Sequence, residues 1–414
     1  MSENRRIPPI WLMGLGNATM GFSTGLVYFV LPQLLAADHV PEGRIATMTA
    51  IAFSTNFWCI LFAPMLDVRF SRRWYATALA ASGGLSVTMA LFTLQHYLLL
   101  EVAMVVNTLS VTLSSSALGG WLSGVVAAED KNFLSKWMNI ALVSGTGIAS
   151  VLGGELARLL PISLAALVLG LLVFLPASIF LLIPAPGPDR RLAAESFEQF
   201  NREVLLLFRR REVVVVLLLF LVPCSTFALP NLLGGLGADF HASERLISLS
   251  GGIGAFFPGI LGCTIFPFIA KRIPLRFFYL ANGILGSLFT LSLVVLPHAP
   301  LSFGLALLGE FLFQAVAFSI QIGIVFEAIG PNNPLAATTF SFLTAATNVS
   351  VTYVMLIDGH AYTAGGIRGI LAVDAAIGVG TCIIAGLLLA KFDRRANATP
   401  PLDLELAEIA NLQD

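Results

Sequence analysis

The residue in this sequence best suited to do chemistry is a carboxylic acid set inside an apolar run. Glu310 is the single charged residue between Pro300 and Phe326. A helix over 300-327 places it about ten residues in, so about 15 Å deep and near the midplane of a hydrocarbon layer about 30 Å thick. An ionised acid at that depth costs at least about 2.5 kcal/mol, so an acid kept there is a candidate for binding a proton or a cation. Gln314 follows one turn on and Gln321 two turns beyond that, which makes a polar stripe along one helix. Half a chain earlier, Asn107 stands at a similar depth in a second apolar stretch. The expectation is a central pair, with Asn107 as the hydrogen-bonding group and Glu310 as the proton acceptor or cation-binding group. Asn17 and Tyr28 in the first apolar stretch add polar groups to the candidate solute or coupling site. Ser225, Thr226, Thr347 and Asn348 are further polar residues in apolar stretches, and side chains of this kind usually bond their own helix or a neighbour. Pro223 and Pro230 lie seven residues apart in one stretch. They free backbone carbonyls and are expected to break or bend that helix beside the site.

The other reactive residue types form no second site. Asp374 falls in the last apolar stretch and reads as structural, with Arg368 as its expected partner, while Glu101 and Glu155 lie near helix ends where water is close. All five histidines fall in predicted loops, without a metal-ligand pattern. The four cysteines are dispersed in apolar stretches and imply no disulfide framework. Glycine clusters at Gly145 to Gly154 and Gly251 to Gly259 follow no strand, so they read as close helix packing, not as a nucleotide loop. No metal and no cofactor is expected. With the acids scattered and the histidines remote, an enzyme is not expected either.

The elements that must carry these residues follow from composition. Hydrophobic residues make up 57% of the 414 and charged residues only 11%, with a mean hydropathy of +0.87. A soluble core cannot use that much apolar surface. Charges fall in short clusters that separate stretches long enough to cross a membrane, which takes about 20 residues in a helix. In lipid each backbone polar group must be satisfied within its own segment, so these stretches are helices. The pattern predicts an all-α membrane protein with about twelve transmembrane helices near 10-35, 45-66, 74-95, 98-126, 136-156, 162-183, 213-235, 247-270, 276-296, 300-327, 334-357 and 366-390. The first of them follows Arg5 and Arg6 but lacks a cleavage site, and it is expected to be retained. Of the 23 cations, all except Arg44, Arg158, Arg245 and Arg368 fall on the side of the predicted loop 67-73. That bias predicts both termini in the cytoplasm and a location in the inner (plasma) membrane. A net charge of -1 without a basic stripe excludes nucleic acid as a partner.

An internal repeat then sets the organisation. Leu31-Pro32-Gln33-Leu34-Leu35, followed by Asp38, His39, Glu42 and Arg44, recurs as Leu229-Pro230-Asn231-Leu232-Leu233 with Asp239, His241, Glu244 and Arg245. The segment from Ala63 to Tyr75 likewise aligns with Pro267 to Tyr279, at an offset close to half the chain. The expected units are two pseudo-symmetric six-helix bundles over 1-183 and 213-391, a linker over 184-212 and a tail over 392-414. Phe197, Phe200, Val204, Leu207 and Phe208 give the linker an amphipathic helix, read as a tether on the membrane surface. Parallel repeats of this kind suit alternating access, in which one half rocks against the other around a central site.

Asp67-Val68-Arg69-Phe70-Ser71-Arg72-Arg73 resembles the loop between helices two and three of the major facilitator superfamily. Ala63 stands where that motif begins with Gly, Val68 is a one-residue insertion, and Ser71 replaces an inner Gly. The resemblance implies a latch in which Asp67 and Arg72 or Arg73 hold the inward gate shut. It also implies a cavity lined by helices one, four, seven and ten, and gating by helix eleven. The run from Ala336 to Thr344, leading to Asp358-Gly359, is similar to bacterial muropeptide permeases and acetyl-coenzyme A transporters, which adds amphiphilic or anionic solutes to sugars and drugs as expected substrates. The functional expectation is a monomeric secondary transporter moving a small or amphiphilic solute by alternating access, coupled to protons. A transporter-like receptor or a channel is the alternative.

Overall fold

The computed structural model describes residues 7–68, 70–184, 204–205, 207–243, 246–247, 253–331 and 333–398. Arg69, Glu244, Arg245, most of the expected linker helix including Phe197 and Phe200, and the tail beyond 398 lie outside the described residues. Among the described residues there is no strand, and the chain runs as twelve helical segments. In the first half these are α1 (Ile10–Ala37), α2 (Glu42–Trp58), α3 (Arg72–Phe92), α4 (Tyr97–Val125), α5 (Lys131–Leu159) and α6 (Ile162–Phe174). In the second they are α7 (Arg211–Leu221), α8 (Ile253–Ala270), α9 (Leu275–Leu293), α10 (Pro300–Ile329), and α11 and α12 within the continuous run Ala336–Ala398. Among the described residues seven stretches are long and apolar enough to cross a membrane, and one of them holds both α11 and α12.

The sequence explains the irregularities. Pro32 has no N–H and crowds the carbonyl of Tyr28, and α1 widens into a π turn over Leu26–Val30 just before it. The expected loop between α11 and α12 over 358-365 is not formed. Helix continues to Gly365, and the chain reverses at Gly366 with φ 60 and ψ -152, a conformation that a side chain makes costly. The repeat is visible in the backbone. His39 and His241 both adopt positive φ, 60 and 54. The N–H of Val40 reaches the carbonyl of Leu35, and the N–H of Ala242 that of Gly237 in the same way. Each half thus ends its first helix in the same left-handed cap.

Packing differs between the two ends of the molecule. Toward the end carrying the loop 67-73, which holds most of the cations and is called here the basic face, one core runs through both halves. It joins Met13, Trp121 and Phe180 to Phe220, Phe326 and Phe340. Toward the opposite face the cores are separate, one around Leu26, Leu91 and Leu169 and the other around Phe240, Phe303 and Leu371. The halves are therefore closed together at the basic face and apart beyond it. Large apolar side chains such as Leu61, Leu98, Leu159 and Leu301 are exposed around the outside, as a lipid-facing surface requires.

Candidate functional site

Where the halves part they enclose a cavity of about 350 Å³. Its walls come from both halves: Asn17, Thr24 and Tyr28 of α1, Asn56 of α2, Thr112 and Ser115 of α4, and Asn139 and Thr146 of α5 face Asn231, Gln314 and Gln321, with Thr344, Thr347 and Asn348 of α11. Aromatic side chains, among them Phe29, Phe53, Phe256, Phe311 and Phe318, fill the spaces between these polar groups. None of the lining residues is Asp, Glu, Lys, Arg or His. The expected residues Asn17, Tyr28, Gln314 and Gln321 all line the cavity. Asn17 accepts from Ser115 at 2.7 Å and donates to the carbonyl of Met138 at 3.1 Å. Gln321 donates to Tyr279 at 3.2 Å.

The expected central pair is not brought together. Asn107 is fully buried inside the first half, where it accepts from Ser23 of α1 and donates to the carbonyl of Gly83 on α3 at 2.8 Å. Glu310 is fully buried inside the second half, where its Oε1 accepts from Thr290 of α9 at 2.5 Å. Neither residue lines the cavity. Each is turned to the neighbouring helix of its own bundle, a choice that spacing along one helix does not specify. Asp374 has Asp358 of α11 as its neighbour in place of the expected Arg368.

Beside Thr290, the partner of Glu310, runs the interrupted part of the seventh helical segment. α7 ends at Leu221, and helix resumes at Pro230. Ser225 and Phe227 between them hold positive φ, 55 and 46. The carbonyls released by this break are taken up by neighbours: Tyr353 donates to Leu221 at 2.6 Å, Thr381 to Pro223 at 3.1 Å and Gln314 to Phe227 at 2.9 Å. Three helices are thus tied to one irregular segment, which lets it persist at membrane depth.

At the basic face Asp67 crosses between the halves. Its carboxylate accepts from Arg72 Nε at 2.6 Å, and from the backbone N–H and hydroxyl of Thr338 at 2.7 Å each. A carboxylate from one half thereby caps the N-terminus of α11 in the other, where it meets unpaired N–H groups and the positive end of the helix dipole. Arg72 completes the closure by donating to the carbonyl of Pro334 at 2.6 Å. Ser71, which replaces a Gly of the motif, caps α3 by accepting from Trp74 N. Arg73 makes no bond in this cluster among the described residues. Ser135 and Lys131 of α5 add bonds to the carbonyls of Ser319 and Phe326 across the same closure. Gly120 lets α4 meet Ala337 backbone to backbone. From the linker, Val204 and Leu207 pack on Val68 and Leu335 beside Asp67.

The match to known proteins follows this geometry. Residues 13–338 match the family model described as Major Facilitator Superfamily. The chain belongs to that superfamily. It is a multi-pass membrane protein and a secondary transporter of small molecules, with no enzymatic role. No curated protein matches it. Among solved structures, the Escherichia coli fucose:proton symporter superposes with a TM-score of 0.72 at 16% identity, over 93% of this chain and 99% of the other. The human organic anion transporter TETRAN gives 0.70 at 16%, over 93% and 100%. A proton:xylose symporter gives 0.69 at 15%, over 92% and 94%. At these identities the likeness is one of fold.

Proposed function

We propose that this chain carries a neutral, hydroxyl- or amide-bearing solute across the inner (plasma) membrane in symport with protons, its termini lying in the cytoplasm. The observation that carries the substrate class is the lining of the cavity, rich in amides, hydroxyls and aromatic faces and without a charged side chain. An anionic solute entering it would lose its hydration and gain no counter-charge, which is costly in a medium of low dielectric. A neutral polyol or glycan loses less, and it finds donors and acceptors on both halves together with aromatic faces for its apolar side. The fucose and xylose symporters among the structural neighbours point the same way. The cavity chemistry therefore disfavours acyl thioesters. Coupling is assigned to Glu310, an acid buried at membrane depth beside the interrupted segment that borders the cavity. Asp67 and Arg72 are the gate latch, which in the described state closes the cytoplasmic side and leaves the cavity to the outside.

A thermal-shift screen of purified protein against neutral sugars, muropeptides, acyl thioesters and drugs tests the substrate class, and uptake into liposomes driven by a pH gradient tests the coupling. Stabilisation by neutral sugars or glycans, and uptake that a protonophore abolishes, are the expected results. Saturable binding of an anionic thioester with no response to any neutral solute overturns the substrate class. Gradient-driven uptake left intact by Glu310→Gln removes that residue from coupling.

A further inference from the structure

Behind the cavity, inside the second half, three carboxylates gather of which the transport reading uses only one. Glu310 on α10 is joined by Asp358 on α11 and Asp374 on α12. Glu310 and Asp358 have no exposed surface. Oε2 of Glu310 and both oxygens of Asp358 lack a hydrogen-bond partner, although Asp358 and Asp374 lie close enough to interact directly. The charges acting on these three groups come from one another. From α9 they meet Thr290, and a small void beside Asp374 is walled by the neutral Ser225, Thr226 and Ser287. Nearby, Cys224 interacts with Cys382, and Tyr353 donates to the carbonyl of Leu221.

Three ionised carboxylates cannot share a site without water or cations, because each pays the desolvation cost and repels the others. Protons are the smallest ligands that relieve both terms, and a pair of facing carboxylates holds one between them. A metal is a poorer fit, since the three acids do not come close enough together to ligate one ion. We propose that Glu310, Asp358 and Asp374 form a proton-holding unit set apart from the solute cavity, which none of the three lines. This deepens the coupling assigned above and rests on it only for the use made of the protons.

Infrared difference spectra between acid and alkaline buffer, recorded on purified full-length protein in nanodiscs in H2O and D2O, test the unit without a solute. The expected result is a carbonyl band of buried protonated carboxyl groups that shifts in D2O. Asp358→Asn and Asp374→Asn each weaken it, and combining both with Glu310→Gln abolishes it. Thr290→Val serves as a second variant, because it leaves all three acids in place and is expected to shift the Glu310 component of the band without loss of area. A band that is absent, unchanged in all these variants, or displaced by sodium ions at constant pH overturns the inference. Should the band behave as expected while a pH gradient fails to drive uptake, the proton-coupled reading falls and the unit stands. Gradient-driven uptake without the band places the coupling proton elsewhere and refutes the unit alone.

Discussion

Replacing Asp67 by Asn removes the charge of the latch and keeps its shape. Asp67 and Arg72 belong to the same half, so their ion pair survives when the halves part. The bonds to Asp67 that opening breaks are the two of 2.7 Å from the N–H and hydroxyl of Thr338 and a longer one of 3.3 Å from the N–H of Ala337. Hydrogen bonds to a charged group contribute about 1.5–3 kcal/mol each. The amide keeps one acceptor oxygen but turns an NH2 toward a donor, so about 2–3 kcal/mol of closure is lost, which shifts the balance of closed and open states about 30- to 150-fold. A native reporter stands at the joint: Cys59 is 1% exposed and lies 3.9 Å from Ser341 of the other half. With Cys224, Cys263 and Cys382 replaced by Ala, the rate at which a charged maleimide labels Cys59 from the basic face follows the open population. Asp67→Asn is expected to raise that rate by about the factor above. An unchanged rate would mean that the carboxylate does not hold the closure, and the reading of Asp67 as a latch would be wrong.

Other substitutions probe separate parts of the same arrangement. A Cβ on Gly120 would come within 2.4 Å of Ala337 N; Gly120→Ala is expected to cost the closed state about 1–3 kcal/mol, seen as faster labelling of Cys59 with little change in overall thermal stability. Thr338→Val removes one bond to Asp67 and is expected to produce the same effect as Asp67→Asn at smaller amplitude. Tyr353→Phe leaves the half-buried carbonyl of Leu221 without its donor, which should lower stability by about 1 kcal/mol, read as a lower midpoint in thermal unfolding. Asn17→Ala removes a cavity group held by Ser115 and Met138, and should weaken solute binding in the thermal-shift assay while leaving Cys59 labelling of the solute-free protein unchanged.

Much of the architecture was legible in the sequence, because apolar length and charge clustering are direct consequences of the solvent the chain occupies. The repeat was equally open to reading, since both copies carry Leu-Pro and a His at the left-handed cap position. The break around Pro223 and Pro230 was foreseen from the missing N–H groups, but its extent was not, since it depends on donors from three other helices. Depth alone could not say which way Glu310 and Asn107 point. Helical spacing aligns Glu310 with Gln314, yet Glu310 meets Thr290 inside the second half while Gln314 lines the cavity. Asp358 was hidden because the stretch 358-365, polar and with Gly near both ends, reads as a loop, whereas the chain stays helical up to Gly366. The cavity residues Thr108, Thr112 and Ser115 on α4, and Asn139, Thr146 and Ser150 on α5, recur at helical spacing, and that periodicity was the available signal for them.

Charge movement on a solid-supported membrane bearing the reconstituted protein tests the coupled transport of a neutral solute most directly. A neutral solute from the thermal-shift screen carries no charge of its own, so any current it evokes belongs to the coupled ion. The account predicts a transient of positive charge moving with the solute, accompanied by alkalinisation of the side from which it is taken up, with both lost in Glu310→Gln. Full solute flux with neither current nor pH change would contradict it.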